Sequence, residues 1–167
     1  MKRITRRRLR RLRRLLLWLF LGGVAAMIFF FSAQTGEESS RVSSGVLKLV
    51  SAWLKPCVEF VLGRTVSQGA MQLLIRKLAH FSEYALLGFC LTLLLREYNW
   101  RLPRLSAALL GTGYAVTDEL HQLLSDGRSA SPVDVAIDAS GVLMGVLLAS
   151  LLFGLTHLLL RGRTGRR

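Results

Sequence analysis

Four long apolar runs divide the chain, and polar or charged positions separate them. The runs are Leu15–Phe31, Ala79–Leu95, Leu105–Leu124 and Val135–Leu160. A helix needs about 20 apolar residues to cross a bilayer, and roughly 17 to 25 are tolerated. The pattern therefore predicts an all-α membrane protein, built as a bundle of four transmembrane helices.

The same pattern predicts the parts of the chain. We expect a cytoplasmic basic arm (1–14), a first transmembrane helix (15–31), an extracytoplasmic loop (32–70), a core of three transmembrane helices (71–160) and a cytoplasmic basic tail (161–167). Pro103 is expected at the start of the third transmembrane helix, a position where its missing N–H does no harm.

The segment Val42–Leu62 has apolar residues at helical spacing, while Lys48, Lys55 and Glu59 fall mainly on its other face. A helix with one apolar stripe and one charged face lies in the membrane interface rather than across it. Pro56 would kink or divide such a helix. We expect an amphipathic helical segment that covers the outer surface between the first two spans. A fifth span is the alternative.

Composition supports a membrane protein, with 51% hydrophobic residues and a mean hydropathy of +0.41. The net charge of +13 would suggest a nucleic-acid partner in a soluble protein, but its distribution argues against one. Lys2–Arg14, Arg96–Arg104 and Arg161–Arg167 together hold 16 of the 23 basic residues and a single acid, Glu97. Four spans place these segments on one side, and basic residues accumulate on the cytoplasmic side. Both termini are therefore predicted to be cytoplasmic, with membrane lipid rather than nucleic acid beside the basic arm.

Small residues every four positions form a seam on each of the last two spans. These faces carry Ala107, Gly111, Ala115, Asp118 and Gln122 on the third span, and Asp134, Asp138, Gly141, Gly145 and Ala149 on the fourth. Small residues at this spacing let transmembrane helices pack closely. Because both seams continue into acids, the acids are predicted to point into the bundle.

Polar residues at three helix ends are predicted to meet in one pocket. With four spans, the second helix starts, the third ends and the fourth starts at the outer face of the membrane. The residues at these ends are Lys77, His80, Glu83, Tyr84, Asp118, Glu119, His121, Gln122, Arg128, Asp134 and Asp138. Ionisable side chains at such a depth are costly and usually serve a function.

Several kinds of chemistry fit this pocket. A divalent metal would be held by His80, Glu83, Asp118 and His121, since facing helices of bundles supply such ligands. Catalysis by proton transfer would use His80, Glu83, Asp118, Glu119 and His121. A bound ligand would meet Lys77, Tyr84, Gln122, Arg128, Asp134 and Asp138, and Arg128 with Arg76 and Lys77 would hold its phosphate or carboxylate. The same residues could instead simply lock the bundle together.

The polar stretches also resemble a known family. Arg76–Tyr84, Asp118–Gln122, Gly127–Ser129 and Asp134–Gly141 are similar to the motifs of the VanZ-like family, and Phe31–Gln34 resembles the polar end of its first helix. The resemblance implies a small multi-pass protein of the bacterial cytoplasmic membrane, with 71–160 as the VanZ-like core. The founding member is associated with low-level resistance to the glycopeptide teicoplanin.

Three hypotheses follow for function. The first is a membrane protein whose outer pocket binds an anionic or amphiphilic envelope ligand, such as a lipid or a lipid-linked precursor, and thereby affects glycopeptide susceptibility. The second is a membrane-embedded hydrolase or transferase, metal-dependent or not, that acts on lipid-linked envelope phosphates. The third is a structural or partner-binding membrane module. The enzyme hypothesis ranks second because the chain has no nucleophile elbow and no phosphate-cradling glycine loop.

Overall fold

A computed structural model describes residues 2–124 and 130–164, with side chains for 7–124 and 130–159. The described residues form five α-helices. These are α1 (Lys2–Ser32), α2 (Gly36–Leu62), α3 (Gln68–Glu97), α4 (Pro103–Gln122) and α5 (Pro132–Thr164). The predicted all-α class is confirmed.

Three helices in the described part of the chain are long and apolar enough to cross a membrane. The candidate spans are Arg7–Ser32 in α1, Gln68–Glu97 in α3 and Pro132–Leu159 in α5. The chain is therefore a membrane protein, as predicted. The helices α2 and α4 are long enough to cross a membrane but less apolar than these three spans, because charged residues interrupt their apolar positions. Four crossings and an outer-surface position for α2 stay predictions.

The most extensive helix contact is between α3 and α5. A Cβ atom on Gly141 would overlap the backbone of Phe81, and one on Gly145 would overlap the backbone of Ala85. On the other side of the contact, a Cβ on Gly88 would overlap the backbone of Val142. The predicted small-residue seam is confirmed here, since the two backbones touch where the glycines lie.

The helix α4 packs on α5 through its own small residues. A Cβ on Gly111 would come within 2.7 Å of the Val142 side chain, and Ala107 and Ala115 are fully buried. The helix starts with Pro103 in its first turn, as predicted. These contacts orient the small-residue face of α4 toward the centre of the bundle, and Asp118 on the same face is oriented with it.

The helix α1 runs antiparallel to α3 and meets its far end. Arg13 forms an ion pair with Glu97 at 2.9 Å, and the Arg14 guanidinium lies 4.4 Å from the centre of the Tyr98 ring. The Trp18 indole N–H donates to the Tyr98 hydroxyl at 3.2 Å. Because this end of α1 is anchored beside Glu97, its other end at Ser32 lies near the start of α3.

The helix α2 starts with a complete capping box and lies against α3. The Thr35 hydroxyl accepts from the Glu38 backbone N–H, and the Glu38 carboxylate accepts from the Thr35 backbone N–H and hydroxyl. These hydrogen bonds, the backbone one first, lower the pKa of Glu38. Further along, Leu47 packs against Met71 and Ile75 of α3. Pro56 was expected to kink or divide the helix. It does not divide α2, which continues past Pro56 to Leu62.

Replacing Gly145 with valine tests the close approach of α3 and α5. We expect Gly145→Val to lower the free energy of unfolding by at least about 1–3 kcal/mol, the range for overpacked cores. The new side chain would meet the backbones of Ala85 and Phe89, which cannot swing aside as the end of a flexible side chain can. Thermal unfolding of the purified protein in detergent measures the effect.

The matched control is Gly154→Val in the same helix, where a Cβ meets nothing within 4 Å. Both variants carry the same change in helix propensity, a small gain because valine is a better helix former than glycine, so their difference isolates the packing effect. Equal melting temperatures for the two variants would contradict the tight contact.

Candidate functional site

Close packing brings together three ionisable side chains from three helices. His80 on α3, Asp118 on α4 and Asp138 on α5 each offer one nitrogen or oxygen, and these atoms lie within 4.8 Å of one another. Asp118 and Asp138 are 4% and 1% exposed, and His80 is partly buried. We call these residues the His–Asp–Asp cluster. The roles assigned to them from the sequence stay predictions.

A buried hydrogen-bond network holds Asp118. The Ser32 hydroxyl donates to Asp118 Oδ2 at 2.7 Å, and the Gln122 amide donates to Ser32 Oγ at 2.9 Å and to the same carboxylate oxygen at 3.4 Å. Sequence reasoning placed Gln122 in the pocket but missed Ser32. The available signal was the polar break that ends the first apolar run.

Asp138 differs from Asp118 in its surroundings. Both of its side-chain oxygens are buried, and neither has a hydrogen-bond partner among the residues that the structure describes. Asp138 Oδ1 lies 3.6 Å from His80 Nδ1, an ion-pair distance if the imidazole is protonated. A buried carboxylate without donors is costly, and such groups are normally paired or bound to a metal.

Two further residues from the predicted set border the cluster. Glu83 lies one turn after His80 on α3, partly buried and within electrostatic reach of Asp118 and Asp138. The fully buried Tyr84 hydroxyl lies beside Asp118 without meeting ordinary hydrogen-bond geometry. The cluster and the neighbouring Glu83 together place three acids around one imidazole, and a buried excess of negative charge needs protons or a cation to balance it.

Four further described residues of the predicted set lie away from the cluster. The His121 ring stacks on Phe29 of α1 at 4.5 Å between ring centres, away from the atoms that converge on Asp138. Glu119 is buried and accepts a hydrogen bond from the Ser131 backbone N–H at 2.6 Å, which ties the end of α4 to the residue before α5. Asp134 forms an ion pair with Lys77, and both side chains are about one-third exposed. Arg128 lies outside the residues that the structure describes.

The cluster adjoins a cavity of about 140 Å³ between the end of α1, α2 and α3. Its polar lining consists of Gln34, Ser39, Ser43, Arg76, His80 and Glu83. Its apolar lining consists of Phe31, Val42, Val46, Ile75 and Ala79. His80 therefore belongs both to the cluster and to the cavity wall.

Arg76 is the cation that faces this cavity. One guanidinium nitrogen donates to the Ser40 hydroxyl of α2 at 2.9 Å, while its buried Nε has no partner among the described residues. One turn earlier on α3, the Gln72 amide donates to the Ser44 hydroxyl at 2.8 Å. Polar contacts thus hold α2 over the cavity and leave Arg76 with donor capacity.

The comparison with known families gives one finding. The family model described as VanZ/LLP1 matches residues 17–154, which is most of the chain and includes every element that contributes to the cluster and the cavity. Searches of curated proteins and of solved structures return no match.

Removing the Ser32 hydroxyl tests the network around Asp118. We expect Ser32→Ala to lower the free energy of unfolding by about 1–3 kcal/mol, because a buried carboxylate loses a donor. The control is Ser140→Ala, whose exposed hydroxyl bonds only to the Ile137 carbonyl of its own helix. Denaturation of both variants in the same detergent measures the difference. An unaltered stability for Ser32→Ala would contradict the network.

Proposed function

We propose that this chain, which belongs to the VanZ/LLP1 family, binds an anionic or amphiphilic envelope ligand in the cavity between α2 and α3. The ligand class is a lipid or lipid-linked precursor with a phosphate or carboxylate headgroup. The observation that carries the proposal is the position of Arg76, whose buried Nε has no hydrogen-bond partner within the described part of the chain and which faces a cavity with both polar and apolar walls.

The two kinds of wall suit the two parts of an amphiphile. Arg76 presents a planar set of donors, which bind phosphate or carboxylate by charge-assisted hydrogen bonds. Val42, Val46 and Ile75 supply an apolar wall for the neighbouring hydrocarbon. A cavity of about 140 Å³ is small for a whole lipid. It fits a headgroup whose chains continue along the outside of the protein.

The exposed side of α2 supports a ligand that comes from the membrane surface. Leu49, Trp53 and Phe60 point away from α3 and are strongly exposed, Phe60 at 88%. Lys48 and Lys55 are exposed on the same helix. Apolar and cationic side chains together are typical of helices that lie in the headgroup region. In this proposal α2 lies on the outer membrane surface and covers the cavity.

The packing of α4 supports four crossings. The helix contacts α1, α3 and α5, which are the candidate spans. Its opposite side exposes Leu105, Leu109 and Leu120, whose apolar surface suits contact with lipid. Its charged residues Asp118 and Glu119 are buried against the other helices, which reduces the cost of placing them in a membrane. We therefore place α4 across the membrane and both termini in the cytoplasm.

Cysteine accessibility in intact cells tests this topology. We expect the native, exposed Cys57 of α2 to react with a membrane-impermeant maleimide from outside. In a background without cysteines, Ala130→Cys should also react from outside, and Arg101→Cys only after the membrane is opened, because α4 lies between them. Reaction of the Ala130 and Arg101 variants from the same side would contradict a crossing by α4.

Arg76→Gln tests the ligand site. We expect it to weaken binding of anionic phospholipid or lipid-linked precursor by about 10- to 100-fold, since a hydrogen bond to a charged group contributes roughly 1.5–3 kcal/mol. Binding is measured by native mass spectrometry of detergent-solubilised protein after exchange with defined lipids. Arg41→Gln is the matched control, because Arg41 is an exposed cation of α2 that pairs with Glu37 of its own helix and does not line the cavity.

The same variants test the effect on glycopeptide susceptibility. If the envelope ligand links this protein to teicoplanin, cells that express the wild type or Arg41→Gln should tolerate more teicoplanin than cells that express Arg76→Gln. Equal lipid binding by the two variants would contradict the ligand site. If the two variants differ in lipid binding but give cells the same teicoplanin susceptibility, the ligand site stands and the effect on glycopeptide susceptibility is contradicted.

A further inference from the structure

We propose that His80, Asp118 and Asp138 form a binding site for a divalent transition-metal cation, with zinc as the best-fitting ion. The site differs from the cavity that Arg76 faces, and cation binding does not depend on the envelope ligand. It also differs from the metal set expected from sequence spacing, because Asp138 takes part and Glu83 and His121 do not.

The distances are compatible with one bound ion. Zinc binds imidazole nitrogen and carboxylate oxygen at about 2.0–2.2 Å, so two ligand atoms of a tetrahedral site lie roughly 3.4 Å apart. His80 Nδ1 and Asp138 Oδ1 are 3.6 Å apart, close to that separation. The set of three lies within 4.8 Å, which small side-chain rotations would close around an ion. The ligands come from α3, α4 and α5, so one ion would join three helices.

Asp138 supplies the independent argument for a cation. Its carboxylate is 1% exposed and faces the cluster, and neither oxygen accepts a hydrogen bond within the described part of the chain. The neighbouring acids differ, because Asp118 accepts from Ser32 and Gln122, and Asp134 pairs with Lys77. Buried charges in proteins are paired or coordinate metals. Asp138 faces His80 Nδ1 at 3.6 Å, a contact that balances its charge only when the imidazole is protonated, whereas a divalent cation would balance the charges of both Asp118 and Asp138.

The chemistry of the ligands selects the class of ion. One imidazole and two carboxylates, without a thiolate, suit zinc or manganese, whereas calcium prefers six to eight oxygens. Three protein ligands leave a position open, as in catalytic zinc sites. Ser32 would orient the Asp118 carboxylate through its hydrogen bond, the usual support for a metal ligand.

The position of His80 relates the cation to the cavity. Since His80 also lines the cavity, an anionic headgroup bound there would lie beside the ion. That link rests on the proposed envelope ligand, whereas cation binding itself does not.

Zinc titration of the purified full-length protein, without an affinity tag, tests the site. The protein in detergent competes for zinc with a chromophoric chelator, and bound metal is counted by mass spectrometry after desalting. We expect one zinc per chain for the wild type and a rise in melting temperature on zinc addition, because an ion that binds the folded state stabilises it.

Asp138→Asn should weaken zinc binding by more than about 100-fold, since loss of a ligand exceeds the 10- to 100-fold effect of losing a supporting residue. The matched control is Asp134→Asn, an acid one turn earlier on α5 that lies outside the cluster and pairs with Lys77. His121→Asn is a second control, since this imidazole stacks on Phe29. Both controls should keep wild-type zinc affinity.

Each outcome decides the proposal. No stoichiometric zinc or manganese on the wild type would overturn it, as would unchanged affinity in Asp138→Asn. If Asp138→Asn does not fold, His80→Gln replaces it as the ligand variant. Arg76→Gln should bind zinc as the wild type does, so failure of the lipid site and failure of the metal site give different results.

Discussion

Backbone contact between α3 and α5 determines where the polar residues of this protein lie. Gly141 and Gly145 let α5 approach α3 until its glycines touch the backbone of Phe81 and Ala85. At that separation His80, one residue before Phe81, comes within 3.6 Å of Asp138, one turn before Gly141. In a bilayer there is little hydrophobic force between helices, so close packing and polar contacts must hold the bundle together. The glycine contact therefore sets both the stability and the position of the cluster.

Asp118 extends this arrangement to the remaining helices. It lies on the buried face of α4 and accepts a hydrogen bond from Ser32 at the end of α1. At the opposite end, Arg13 of α1 pairs with Glu97 of α3, so α1 is fixed at both ends. The first helix is thus part of the polar site as well as a basic membrane anchor. The three cluster residues lie within the 71–160 core, but the hydrogen bond that supports Asp118 comes from Ser32, outside that core.

The packing of α4 and α5 could be predicted from the sequence because their small residues recur every four positions. Small residues every four positions identified the buried faces of α4 and α5, and Asp118 and Asp138 on those faces are buried. Asp134, predicted to point into the bundle with them, is instead about one-third exposed and pairs with Lys77. The same spacing could not predict how each helix is rotated about its axis, and this rotation determines which side chains of α4 face Asp138 on α5. His121 lies one turn from Asp118 on α4, yet a modest rotation takes its ring to Phe29 instead of to Asp138. Ser32 was missed because a hydroxyl at a helix end has no distinctive pattern until a partner helix brings a carboxylate to it.

The helix α2 contains the segment Val42–Leu62, which the sequence left open between an interfacial helix and a fifth span, and it borders the cavity beside the cluster. The helix presents two apolar sides, one that packs Leu47 on α3 and another that leaves Trp53 exposed. A single amphipathic stripe in the sequence did not separate these two sides, because both are apolar and lie next to each other on the helix. The side toward α3 is held by polar pairs such as Arg76 with Ser40, which do not fill the space in front of His80. In the proposed topology α2 is anchored by hydrogen bonds at one edge and faces lipid at the other, so it would cover the polar site while leaving it open to the membrane surface. With that topology this arrangement would admit a headgroup from the lipid phase, while the burial of Asp118 and Asp138 keeps the acids that would attract a cation out of contact with hydrocarbon.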